Sequence, residues 1–123
     1  MEENVSLPCP SCGFLTIEDN YYGTHDTCPV CAWEDDHVQL ANPACKGASN
    51  PISLIESQKK TLKKVPLELK KYKDFVRDKK WRPLDMKELE RFEKEKRKQR
   101  WMNKGIVSVE EVYWIKKKIS YRN

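Results

Sequence analysis

Cys9-Pro10-Ser11-Cys12 and Cys28-Pro29-Val30-Cys31 are the residues whose types and spacing point to chemistry. Each pair leaves two residues between its cysteines, so one tight backbone turn presents both sulfurs to the same point. Fifteen residues separate the pairs, a length that lets a loop bring the two turns together around one ion. Thiolates are soft ligands, and four of them at about 2.3 Å satisfy a tetrahedral zinc completely. The expected site is therefore one structural Zn2+ held by Cys9, Cys12, Cys28 and Cys31, closed to water and substrate. The competing reading of a single Cys-x-x-Cys is a dithiol redox motif. It needs a thioredoxin-like strand-helix setting, absent here, and leaves the matched second pair unexplained. With four cysteines in place, neither His25 nor His37 is required as a ligand. Cys45 falls in Asn42-Pro43-Ala44-Cys45-Lys46-Gly47, a loop by composition, and reads as a free thiol.

The elements that must position these sulfurs can be read in outline. Phe14-Leu15-Thr16-Ile17 is a short apolar and β-branched run after the first turn, hence a strand. Gly13 follows the first pair, where the turn calls for positive φ. Ala32 stands at the equivalent place after the second pair, so the two turns are expected to differ. Trp33 lies two residues beyond a ligand and is expected to cover the metal. Ser53-Leu54-Ile55-Glu56 has the form of a capping box, predicting a helix from there to about Lys64 with Leu54, Ile55, Thr61, Leu62 and Val65 inward. Pro66 ends it. A second helix is expected over about 67–79, with Leu69, Tyr72, Phe75 and Val76 inward. A third should begin at Asp85-Met86-Lys87-Glu88 with Met86, Leu89 and Phe92 apolar, followed by the charged run 93–100. A last helix should open at Ser108-Val109-Glu110-Glu111, burying Val109, Val112, Tyr113 and Ile119. The expected fold is small α+β: a zinc-ribbon-like metal domain over residues 1–50, then a basic region, 51–123, of about four short helices packed on it or appended to it.

Composition narrows the function. The chain has 123 residues, 38% hydrophobic and 35% charged, enough for one small domain with a thin core. Four tryptophans and five tyrosines argue against disorder, because their rings need burial. Nothing approaches the apolar length of a membrane span. The acidic start Met1-Glu2-Glu3-Asn4 lacks the basic and apolar regions of a secretory signal. An odd number of cysteines, five, suits a reducing compartment. The expected location is the cytoplasm. The net charge of +5 hides a division. Residues 1–58 carry nine acidic side chains against one base, Lys46, and residues 59–123 carry 23 bases against ten acids. Such asymmetry suggests an acidic and a basic surface.

One stretch carries a resemblance. Pro8-Cys9-Pro10-Ser11-Cys12-Gly13, Cys28-Pro29-Val30-Cys31-Ala32-Trp33-Glu34-Asp35-Asp36, Val38-Gln39-Leu40, and Gly47-Ala48-Ser49-Asn50 through Ser53-Leu54 resemble the bacterial cysteine-rich CPCC family over residues 7–62. The chain departs from it at Ser11, where the namesake motif has a cysteine. The resemblance implies a small zinc-binding domain without an established catalytic activity, and a loose link to immunity partners of secreted toxins.

No catalytic set accompanies the cysteines. An H-E-x-x-H signature is absent, the chain has only four glycines and no phosphate-binding loop, and two isolated histidines make no triad. The expectation is a non-enzymatic protein with no small-molecule substrate and no membrane association. Its leading form is a protein-interaction module, in the sharpest version an immunity protein neutralising a toxin, with Glu34, Asp35 and Asp36 as an acidic contact surface. The alternative is nucleic-acid binding by the basic half, where Tyr72, Phe75, Trp81, Phe92 and Trp101 interleave with lysine and arginine. Those same aromatics could instead form the core of that half. A third reading gives redox work to Cys45 or the dithiols, but nothing in the sequence activates a thiol.

Overall fold

A computed structural model of the protein describes residues 6–96 and 105–115. Its elements in chain order are β1 (Leu7–Pro8), β2 (Leu15–Ile17), α1 (His37–Ala41), α2 (Leu54–Lys64), β3 (Lys71–Tyr72), β4 (Phe75–Val76) and α3 (Met86–Glu95). Among the described residues this is a small α+β fold with two small antiparallel sheets and three helices. None of the helices is long and apolar enough to cross a membrane.

β1 and β2 flank the first cysteine turn, with Leu7 opposite Ile17 and Pro8 opposite Leu15. Proline has no N–H to give a ladder, and this two-stranded ribbon leaves Pro8 on an edge where none is needed. The Phe14 end of the ribbon continues sideways. Phe14 bridges Arg77, and the Asp78 amide donates to the Gly13 carbonyl at 2.8 Å. The second half of the chain is thus hydrogen-bonded to the turn that carries Cys9 and Cys12.

α2 forms as its sequence predicts. The Ser53 hydroxyl accepts from the Glu56 amide, and the Glu56 carboxylate accepts from the Ser53 amide. Leu54, Ile55, Thr61 and Val65 are buried, and the helix stops at Val65 before Pro66. α1 has no counterpart in the sequence reading. Asp36 caps it, accepting from the Val38 and Gln39 amides at 2.7 and 3.1 Å, and five residues are too few to display helical periodicity.

The expected helix over 67–79 is replaced by the β3–β4 hairpin. Tyr72 faces Phe75 across a two-residue turn in which Lys73 and Asp74 both have positive φ, +49° and +68°. Two such residues are what a tight hairpin turn requires, and aspartate tolerates that region better than most residues. The apolar spacing of Tyr72, Phe75 and Val76 suits a helix face as well as a cross-strand pair. The decision falls to Arg77, whose side chain holds the preceding loop open, as shown below. The expected α3 is present, started by a capping box of Asp85 and Glu88. It lies at the surface: Leu89 and Phe92 are half-buried against Ala44, Ile55 and Leu84, while Met86 is exposed.

The expected last helix is also absent from the described part. Residues 108–115 make successive turns, with the Glu111 amide bonded to the Ser108 carbonyl and the Ile115 amide to the Val112 carbonyl, both at 3.1 Å. The Ser108 hydroxyl accepts from the Glu110 amide two residues on, a local turn that competes with the helix cap the sequence suggests. Val112 and Trp114 are nonetheless buried. Trp101, Ile119 and the basic run from position 97 lie outside the described residues. In place of about four helices, the described residues beyond 50 supply α2, a hairpin, α3 and a turn-rich segment.

The main core joins both halves. Cys9, Cys12, Phe14, Trp33 and Leu40 share one buried cluster with Leu54, Val65, Trp81, Val112 and Trp114. Gln39, fully buried, fastens the intervening loop. Its amide donates to the carbonyls of Cys45, Asn50 and Ile52, and its oxygen accepts from the Asn50 amide.

Candidate metal centre

The two cysteine pairs fold into the same turn. The Cys9 amide donates to the Phe14 carbonyl at 2.9 Å, and the Cys28 amide donates to the Trp33 carbonyl at 2.9 Å. The Gly13 amide returns to the Cys9 carbonyl, and the Ala32 amide to the Cys28 carbonyl, both at 2.8 Å. Gly13 has φ +81° and Ala32 has φ +69°. The expected difference between the turns is therefore not seen: Ala32 adopts the left-handed conformation that its position demands, despite its Cβ.

The two positions differ in their surroundings. A Cβ at Gly13 would collide with the six-membered ring of Trp81, whereas Ala32 is exposed. Gly13→Ala is expected to cost about 2–4 kcal/mol from left-handed strain plus overpacking. Ala32→Gly is expected to be neutral or to gain up to about 1 kcal/mol, because relief of strain exceeds the added chain entropy. Paired urea melts check both.

Pairing of equivalent turns brings the sulfurs together. Cys9, Cys12, Cys28 and Cys31 have all four Sγ atoms within 4.8 Å of one another. Cys9 Sγ is 3.6 Å from Cys31 Sγ, and Cys12 Sγ is 3.7 Å from Cys28 Sγ. A tetrahedral ion bonded to sulfur at about 2.3 Å requires sulfur–sulfur edges of about 3.8 Å. Those two edges fit, and they are far too long for disulfides; all five cysteines are free. Cys9, Cys12 and Cys28 are buried and Cys31 is half-buried, so the cluster is shut on one side and skirted by a surface groove on the other. The Val30 amide and the Thr16 hydroxyl point at Cys28 Sγ, at 3.3 and 3.4 Å. Such bonds orient a thiolate ligand and reduce its charge.

Without a cation the four sulfurs divide unequally. Hydrogen bonds donated by Cys12 push the Cys28 and Cys31 thiols down from their ordinary range. Burial pushes Cys9 up, and the bond to Cys28 pushes Cys12 up. A metal that takes all four sulfurs as thiolates must displace the protons the cluster holds, so its entry is coupled to proton release. A soft, four-thiolate, tetrahedral donor set matches zinc better than the oxygen-seeking cations.

The remaining candidate residues are placed as follows. Cys45 is buried and apart from the cluster. His25 sits 3.3 Å from Glu34, and His37 lies against Gly23; neither joins the sulfurs. Trp33 is buried beside them, lining a void of about 10 Å³ with Cys9, Cys28 and Asp35.

The acidic triplet is not the surface expected of it. Asp35 is buried, and its Oδ2 accepts from the amides of Gly23 and Thr24 and from the Thr24 hydroxyl, tying the loop between the cysteine pairs to the second turn. Asp36 is buried as the α1 cap and also accepts from the Ser49 amide. Burial alone would raise Asp36, but the amides of Ser49, Gln39 and Val38 together hold it below the usual carboxylate range. Only Glu34 is half-exposed.

Ser11, the departure from the cysteine-rich motif, is fully buried and turns away from the sulfurs. Its hydroxyl is hydrogen-bonded to that of Ser57 on α2, with Thr61 at 3.4 Å. The position belongs to the joint with α2 rather than to the metal. Ser11→Cys is therefore expected to leave metal stoichiometry unchanged while costing about 1 kcal/mol for the weakened hydroxyl contact. Metal analysis and a thermal melt check it; a second bound equivalent or a changed coordination spectrum would contradict it.

Sequence reasoning missed two neighbours of the site. Gln58 donates from Nε2 to the Pro10 carbonyl at 2.9 Å, and Arg77 donates from Nε to the Cys12 carbonyl at 2.8 Å. Both act on the backbone of the first turn from distant positions, and a single sequence carries no signal for such contacts.

No curated protein matches the chain. The family model described as cysteine-rich CPCC matches residues 7–78, from β1 through the β3–β4 hairpin and Arg77. That covers more than half of the chain and includes all four clustered sulfurs. By this match the chain belongs to the cysteine-rich CPCC family.

Proposed function

We propose that this is a non-catalytic zinc protein that acts as a protein-interaction module. The observation that carries the reading is the four-sulfur cluster with edges fitted to one tetrahedral ion. Four protein donors close such an ion, leaving no position at which it could activate water or polarise a substrate. The metal then serves as a staple, fixing the two turns and every surface built on them. Its sharpest form is an immunity protein that neutralises a cognate toxin.

Nucleic-acid binding is the weaker reading. Base stacking needs exposed ring faces, yet Trp81 is buried on Gly13, and Tyr72, Phe75 and Phe92 are half-buried against the core clusters. The test is metal analysis of the purified protein together with co-expression against a toxin encoded beside it. One zinc per chain, and growth rescue lost when the cysteines are replaced, is the expected result. Failure to bind zinc removes the staple. Salt-sensitive retention of generic DNA or RNA, with no protein partner captured, would favour the alternative.

A further inference from the structure

A groove of about 590 Å³ runs along the second cysteine turn. It is lined by that turn, from Cys28 to Trp33, by residues of α2 and by the tip of the β3–β4 hairpin. Its lining includes the aliphatic side chains of Val30, Ile52 and Val65. Three exposed lysines line it too: Lys60 and Lys64, one helical turn apart on α2, and Lys73 at the hairpin tip. No aspartate or glutamate lines it, and none of the three lysines forms an ion pair among the described residues.

We propose that this groove docks an extended peptide segment of a partner protein in which acidic residues alternate with aliphatic ones. The inference rests on the interaction-module reading and moves the contact surface from the acidic triplet to the opposite charge. In an extended strand, successive side chains point to opposite sides. Aliphatic residues would then enter the groove while the acidic ones meet lysines on its edges. A chain of nucleotides fits less well. Tyr72 is the one aromatic ring besides Trp33 in the lining, and it is half-buried, packed at a tilt against Phe14, centroids 6.3 Å apart, with the Lys73 ammonium 5.7 Å over its ring. Proline at positions 29 and 51 and the metal-clamped turn give the groove a fixed shape, so little ordering cost is added on binding.

The test pans a random linear peptide library against the zinc-loaded full chain and measures enriched peptides by fluorescence anisotropy. Enrichment of acidic-aliphatic sequences is expected, with affinity falling as salt rises. The double variant K60E/K64E should keep its zinc and its circular dichroism yet bind about tenfold or more weakly. K87E, on the exposed face of α3, should bind as the parent does. No acidic enrichment, equal binding by K60E/K64E, or displacement of the peptide by a single-stranded oligonucleotide would overturn the proposal. A captured protein partner that is indifferent to K60E/K64E would overturn the groove alone and leave the interaction reading standing.

Discussion

Cys9→Ser, Cys31→Ser or removal of metal by a strong chelator is expected to abolish cooperative folding rather than weaken it. Zinc bound by four thiolates contributes an apparent 10–16 kcal/mol, roughly, in small zinc domains. The whole stability of an ordinary domain is only about 5–15 kcal/mol. Here the sulfurs are part of the main core, since Cys9 and Cys12 share a cluster with Phe14, Trp33, Leu54 and Trp81. Opening the cluster therefore exposes core that α2 and the hairpin also depend on. The pH dependence has a definite sign. Cys9 and Cys12 hold their protons more tightly than ordinary thiols, so metal entry displaces protons and affinity falls as pH falls. Acid should release zinc and unfold the chain in one step, and alkali within the stable range should not. Parallel metal analysis and circular dichroism across pH would show the two signals moving together. A chelated protein that keeps a cooperative melt would sink the structural role assigned to the metal.

What could be read from the sequence was local. The Cys-x-x-Cys spacing reports a turn only a few residues long, and Ser53-Leu54-Ile55-Glu56 reports a helix start within one turn. Both are present. What could not be read depends on partners far along the chain. Glu34-Asp35-Asp36 looks like a solvated triplet until Gly23, Thr24, Ser49 and the α1 amides are brought to Asp35 and Asp36. Burial of a carboxylate is tolerable when several amides converge on it, and no spacing rule foretells that convergence. Ala32 is the same case in the backbone. Its left-handed φ is imposed by the Cys28–Trp33 turn, against its own preference.

Helical periodicity failed at 67–79 for a related reason. Apolar residues at 69, 72, 75 and 76 satisfy a helix template, yet the segment is wrapped around one side chain. Arg77 is only 3% exposed. Its Nη1 donates to the carbonyls of Pro66 and Leu69, at 2.7 and 2.9 Å, and its Nη2 to that of Val65 at 3.1 Å. A continuous helix would use those carbonyls internally. The guanidinium takes them instead, and the chain between Val65 and Lys70 has to loop around it.

Replacing Arg77 with methionine is expected to cost about 3 kcal/mol or more, because buried carbonyls are left without a donor. The carbonyls of Cys12 and Val65 would lose a donor in a buried setting, those of Pro66 and Leu69 would lose one in a partly buried setting, and Phe14 would lose the group stacked 4.4 Å from its ring. Lysine is not a remedy. It keeps the charge, but its single ammonium cannot reach four carbonyls set around a planar fork, so Arg77→Lys should still cost about 2 kcal/mol or more. The charge has a further consequence. Burial lowers the pKa of Arg77, and the Cys12 sulfur, once a metal has displaced its proton, and the Glu68 carboxylate offset this. Among the described residues no carboxylate forms an ion pair with it. Four thiolates around a divalent ion would remain net negative, so a bound metal and the guanidinium would stabilise one another across Cys12. Arg77→Met should therefore weaken zinc binding as well as the fold, and Arg77→Lys should lose fold stability with less loss of metal. Urea melts at saturating zinc, paired with competition against a chromophoric chelator, separate the two effects. Equal losses of metal affinity in both variants would show that Arg77 acts through its hydrogen bonds alone.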